Sequence, residues 1–320
     1  MAKPLGGDVI SMFINTFQGY NCYSSALGEC AKDKKIPEIE NIILSQWTFF
    51  FDEQQFLKNQ WYTGAADGPV DVVLNKDLEN FSNIYILEHL SSDSEALNES
   101  EEFLQRQGYQ IVLVDFYYLN SFNWKSLSRF NVLREHDPHF IILTEINHGH
   151  VRIIDPYYHH VETLKIEDFR KARSSMTKQG KINYNSYEIA YKETKRVNVK
   201  ELLYYRFDKY LKEEMYHKIE EFATVVKNQL TKSERKWSFI GYNCLNSIIY
   251  QHQNLMRIKK MFNIDIPADL ENLHDKWALI RKKLFEYYSC GNTSTEEISD
   301  MIFEIADLEK NFTKEAIKKL

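Results

Sequence analysis

The stretch HFIILTEI, residues 139–146, running on through NHGH into VRIIDP, constrains this chain more than any other. Two apolar, β-branched runs flank a short polar turn with one glycine, which is the pattern of a β-hairpin. The second run ends at Asp155 and Pro156, so its strand stops there. His139 opens the first strand and Asp155 closes the second. Both therefore fall at the open end of the hairpin, where residues distant in sequence come close. The bland reading is a solvated histidine and an aspartate making a turn before proline.

A further strand is expected over YQIVLVDFYYL, 109–119, which is rich in the same residue types. NIYILEHL, 83–90, reads as a strand or a short helical segment, and a helix is expected to end near Gly108. WTFFF, 47–51, is apolar and aromatic. Residues 62–74 carry turn signals followed by a buried-looking segment. After about residue 195 the apolar spacing becomes helical and stays so to the end, with Ser294 and Glu297 at capping-box spacing before the last helix. The chain thus reads as α+β over 1–180, followed by a helical domain over 196–320 that completes or covers a cleft, with 171–195 as a linker or hairpin. At 320 residues, two domains fit the length better than one.

A formal charge of -6 gives no basic field of the kind nucleic acid binding needs. No apolar run approaches the length of a membrane span, and the opening MAKPLGGDVISMF lacks a signal peptide's apolar core. The expected setting is the cytoplasm, with free thiols. The 20 Phe, 20 Tyr and 5 Trp suggest large contact surfaces or an aromatic-lined cleft.

There are four cysteines: Cys22, Cys30, Cys244 and Cys290. Residues 22–31 can form a helix with Asn21 as its cap, which sets Cys22 at the helix start. Backbone dipoles there favour a thiolate, so Cys22 is the best nucleophile of the four. The alternative is a small buried hydrophobe. A thiol nucleophile needs a base and a group that orients the base. His139 suits the first role and Asp155 the second, a triad by role rather than by sequence order. His136, three residues earlier, falls on a loop and is the poorer base. The N–H of Cys22 and the Gln18 amide are candidate oxyanion donors, although Gln18 also reads as a plain loop residue, and Asn21 either caps the helix or donates locally. His136, His139, His148, His150, His159 and His160 crowd a short stretch, but no strong zinc motif joins them. No glycine-rich phosphate loop is visible. GYNC occurs at 19–22 and 241–244 in different surroundings, as chance would place it.

Cys22 at a helix start, VDFYYLNSF, HDPHFIILTEI and VRIIDPYY together resemble the N-terminal domain of the butirosin-biosynthesis acyltransferase family. That domain is related to the papain-like cysteine peptidases of bacteriocin exporters. The likeness covers roughly residues 10–175, and less specifically the helical remainder. It implies a papain-like domain with Cys22, His139 and Asp155 as thiol, base and orienting acid. It places Asp115 near the cleft, where it shapes a loop or binds an amine. Tyr117 and Tyr118 line the cleft or pack. Gln18 stands closer to the cysteine than the peptidase glutamine does.

The resemblance implies acyl transfer from a carrier-protein thioester to an amine, in secondary-metabolite biosynthesis. No tightly bound cofactor is expected; phosphopantetheine arrives as the carrier's substrate arm. The partners would be an acyl or peptidyl carrier protein and a small amine acceptor, with no nucleic acid and no membrane; homo-oligomerisation stays open. Basic residues of KWSFIGYN or of 170–181 are candidates for meeting the carrier, and ESEE at 99–102 or KEEMYHKIEE at 212–221 for meeting an amine. The same three residues also suit a thioesterase or cysteine amidase. A non-catalytic binding or assembly protein would use the cleft without a competent thiol.

Overall fold

The computed structural model describes residues 16–58, 63–128, 134–191, 193–228, 235–291 and 293–320. Its first described helix, α1 (Cys22–Lys34), starts where Asn21 turns extended. Asn21 Oδ1 accepts from Ser24 N–H, and Ser24 Oγ accepts from Asn21 N–H, a reciprocal cap. Every residue from Tyr23 to Ala31 is buried, so α1 runs through the core rather than over it. Helix α2 (Pro37–Leu44) follows, opened by proline at its first position. A two-residue ladder joins β1 (Phe50–Phe51) to β2 (Thr63–Gly64), with α3 (Glu53–Leu57) between them. Next come α4 (Val72–Ser82), β3 (Ile84–His89), α5 (Ala96–Gln107) and β4 (Gln110–Asp115). Gly108, at φ 80°, takes the left-handed position that ends α5.

The strand expected over 109–119 stops at Asp115. Its carboxylate accepts from Tyr117 N–H and turns Phe116–Tyr118 into a single 3-10 turn. After α6 (Trp124–Ser128) the hairpin lies where its sequence placed it. Strand β5 (Pro138–Asn147) pairs antiparallel with β6 (His150–Asp155), and His148 and Gly149 both have positive φ in the turn. Then come β7 (His160–Lys165), α7 (Ile166–Ser174), β8 (Met176–Thr177), β9 (Gly180–Lys181) and β10 (Ser186–Tyr191).

Among the described residues the main sheet has the order β3-β10-β4-β5-β6-β7, with every neighbouring pair antiparallel. The segment 171–195 is therefore not a linker. It contains the small β8–β9 hairpin, and SYEIAY enters the sheet between β3 and β4. The alternation of Tyr187 and Ile189, both buried, makes that insertion favourable. Across the sheet, Ile111, Phe140, Ile142 and Ile154 face α1, where Tyr23 packs on Phe140 at 4.7 Å between ring centroids. Val112, Val114, Ile141, Leu143 and Ile153 face the other way, onto Phe169 and Ala172 of α7.

The remainder is helical: α8 (Val199–Lys212), α9 (Met215–Asn228), α10 (Lys236–Cys244), α11 (Asn246–Phe262), α12 (Leu270–Cys290) and α13 (Thr295–Lys319). The long helical run after 198 breaks between α8 and α9, where Glu214 has φ 49°. Ser294 Oγ caps α13 by accepting from Glu297 N–H. A mixed α/β region is thus followed by a largely helical one, and the two share an apolar cluster. Trp47, from the early WTFFF stretch, packs on Phe207, Tyr210 and Phe312, and Phe49 stacks on Trp277.

Within that helical core Glu309 is 2 % exposed and accepts from Tyr210 OH and Trp277 Nε1. Burial pushes its carboxyl up to about 7, against the pull of those two donors. Burial, helped by His274, drops the neighbouring His252 to about 3, so that imidazole is neutral. His252 and Glu309, 3.7 Å apart, are therefore no ion pair at neutral pH. An acid whose folded value is raised holds its proton longer in the native state. Its contribution to stability falls as pH rises from about 4.5 toward about 7. Between pH 5 and 6.5 the loss should be about 1.5 kcal/mol. Unfolding free energies from urea titrations at those two pH values should change by that much less in Glu309→Gln than in the wild type. Equal changes would assign the slope to other carboxyls, such as Asp71, also raised by burial to about 7.

Candidate functional site

Cys22 is the first residue of α1 and is half-buried. Its own N–H has no intrahelical acceptor, as at any first helical position, and the Asn21 cap serves Ser24 instead. His139 lies at the start of β5, and Asp155 at the end of β6. Leu143 pairs with Ile153, so the two-residue period sets His139 and Asp155 on the same face. There His139 Nε2 meets Asp155 Oδ2 at 2.8 Å, with the two residues 6 % and 1 % exposed. The other carboxylate oxygen accepts from Tyr158 N–H at 3.2 Å.

With Nε2 committed to Asp155, Nδ1 is the ring nitrogen left for Cys22. Burial by itself would lower this imidazole's affinity for protons. The Asp155 charge, the Cys22 sulfur and hydrogen bonding to both outweigh it and raise His139 to about 10. Phe116 and Tyr158 flank the ring at 4.7 and 5.5 Å between centroids and fix its plane. The other internal thiols stand in different surroundings. Cys30 and Cys244 are buried, and burial pushes both thiols up, while Cys290 is exposed.

The remaining candidates take distinct places. Asn21 is the cap of α1. Gln18 is buried, and its Nε2 donates to the Gly19 carbonyl at 3.2 Å. Asp115 is fully buried; it caps the 3-10 turn, and its second oxygen meets His136 Nδ1 at 2.6 Å and accepts from Ser175 Oγ at 2.7 Å. It therefore ties three loops together. Tyr117 is exposed and stacks on His136 at 4.2 Å, while Tyr118 packs against the α7 side of the sheet. The two basic segments converge: Lys178 and Lys236 both contact Glu135, which offsets their charge. Burial, with Lys236 nearby, lowers Lys178 to about 8. Among the described residues no group of three or more His, Cys, Asp or Glu is placed to hold a metal, and no helix is long and apolar enough to cross a membrane.

The helical region was expected to complete or cover the cleft, but the residues at its contact with the site were not named from the sequence. Asn246 Nδ2 donates to Tyr157 OH at 2.7 Å, and Tyr250 packs edge-on against Tyr157 at 5.7 Å. Tyr157 in turn lies 6.5 Å from the His139 ring. Burial pushes the phenols of Tyr157 and Tyr158 above their ordinary range, so both stay neutral. The pair follows Asp155–Pro156 directly, which was the available signal for them. Asn246 had none: it follows the second GYNC, whose surroundings differ from the first. No family model matches this chain, and no curated protein is significantly similar to it.

Proposed function

We propose that this protein is a thiol-dependent acyltransferase of papain-like arrangement, moving an acyl or aminoacyl group from a carrier-protein thioester to an amine. The observation supporting it is one buried imidazole whose Nε2 meets a buried carboxylate and whose affinity for protons is raised by that carboxylate and by the helix-start Cys22. Such a trio suits attack on a carbonyl. Cys22 Sγ, its proton held on His139, bonds to the thioester carbon. The carbon–sulfur bond to the pantetheine arm then breaks, and the departing thiolate takes the proton from His139. An amine next attacks the acyl–Cys22 carbon. Its proton passes to His139, and Cys22 leaves as thiolate beside the imidazolium. The unpartnered N–H at the start of α1 faces the need of the tetrahedral oxyanion for a donor. Asn246 and Tyr250, from the helical region, cover the loop after Asp155 and exclude water that would hydrolyse the acyl-enzyme.

Intact mass spectrometry with a panel of acyl-carrier thioesters tests this. The expected result is a one-acyl mass increase in the wild type, absent from Cys22→Ala, and discharged by an amine with formation of amide. Discharge by water alone would make the protein a thioesterase. Absence of both adduct and amide would sink the reading.

A further inference from the structure

Leu245 has helical dihedrals, so α10 and α11 run on as nearly one helix through the junction. Tyr242, Asn246 and Tyr250 are spaced four residues apart along it and share one face. All three are half-buried. Asn246 and Tyr250 touch Tyr157 above the Cys22 centre, which places Tyr242 one turn, about 6 Å, further out. Beyond it the face continues through Phe239, which stacks on Tyr242. From Tyr250 to Phe239 the track spans about 16 Å.

On this track lies a guanidinium. Arg281 of α12 sits over the Tyr242 ring at 4.4 Å, and its Nε donates to the Tyr242 carbonyl at 2.9 Å. Those two contacts fix its plane and leave the terminal nitrogens to be satisfied. Among the described residues it makes no ion pair. Most cations around the centre are otherwise engaged: Lys178 and Lys236 meet Glu135, and Arg134 bonds the Leu119 carbonyl. Arginine stacked on an aromatic ring and pre-oriented by its backbone contact is suited to bidentate recognition of an oxyanion.

We propose that Arg281, laid on Tyr242 along the track leading to Cys22, binds an anionic oxygen group of the substrate. That group is the phosphodiester of a phosphopantetheine arm or a carboxylate on the acyl chain. The inference deepens the thioester reading and names what its substrate must carry. Apolar stretches of the arm lie along the half-buried rings, and the charge is read at Arg281.

The test is calorimetric binding to the full-length Cys22→Ala chain of three probes: pantetheine, 4′-phosphopantetheine and S-succinylpantetheine. At least one charged probe should bind tenfold or more tightly than pantetheine. Arg281→Gln should bring that ratio near one, and Arg281→Lys should restore part of it. Preference for the phosphorylated probe alone assigns the site to the arm; preference for the succinyl probe alone assigns it to the acyl chain. No preference for charge, no binding of any probe, or a preference surviving Arg281→Gln overturns the proposal. Thermal melts check that the variants fold. The mass-spectrometric adduct at Cys22 reports separately on the thioester reading. An adduct without Arg281-dependent preference sinks this inference alone, and the preference without any adduct sinks the thiol chemistry alone.

Discussion

Replacing His139 by glutamine should slow alkylation of Cys22 by iodoacetamide about 100-fold or more at pH 6.5. The amide fills much of the imidazole's space but cannot carry a proton as a cation. In the wild type the ring, raised to about 10, is charged throughout the neutral range, and its charge is set against the sulfur. Glutamine removes both that charge and the nitrogen that can take up the thiol's proton as the sulfur attacks. Peptide-level mass spectrometry reads each cysteine separately. Cys290, exposed at the end of α12, serves as an internal control whose rate should not change. Cys30 and Cys244 are 2 % and 4 % exposed and should stay slow unless the variant has loosened. Equal Cys22 rates in wild type and variant would show that the imidazole does not hold the sulfur's proton.

The parts of this centre that were legible in the sequence are those set by local chemistry. Asn21 before an apolar run marks a helix start, and the reciprocal Asn21–Ser24 hydrogen bonds are the physical form of that signal. The hairpin was legible because its pairing is between neighbours. The shared face of His139 and Asp155 was not legible: the register set by the turn pairs Glu145 with Arg152, and only the bulge between Leu143 and Glu145 shifts it so that Leu143 pairs with Ile153 and the two residues fall on one face. What else escaped depends on distant pairing. Ser186–Tyr191 reads as a strand only beside Ile84–His89, about a hundred residues earlier, and nothing local names that partner. Asp115 looks like one more strand residue until its carboxylate is seen to accept Tyr117 N–H and end the ladder. Asn246 and Tyr250 lie in an ordinary helical pattern and gain meaning only from the Tyr157 ring beneath them.

Asp155→Asn should reduce the acyl transfer proposed for this centre by about 10²–10⁴-fold, because the side chain has two donors to satisfy and asparagine has one acceptor. In the wild type one oxygen meets His139 and the other accepts from Tyr158 N–H. If the amide oxygen stays on Tyr158 N–H, the NH₂ group faces Nε2. The ring must then turn its lone pair there and carry its proton on Nδ1, where it cannot take one from Cys22. If the amide flips, the NH₂ group faces Tyr158 N–H and a buried donor is left unsatisfied. Either outcome also removes the charge that offsets burial of the imidazolium, so His139 should titrate lower. The sign of the stability effect follows. A histidine raised above its unfolded value stabilises the fold fully below about pH 6.5, and that contribution fades as pH climbs toward about 10. Wild-type urea midpoints should therefore fall between pH 6.5 and 9.5, and the fall should be smaller in Asp155→Asn. NMR of the His139 ring should show an imidazolium persisting past pH 8 in the wild type and titrating near or below neutrality in the variant. A variant ring that still holds its proton past pH 8 would mean that the cation is stabilised by something other than Asp155.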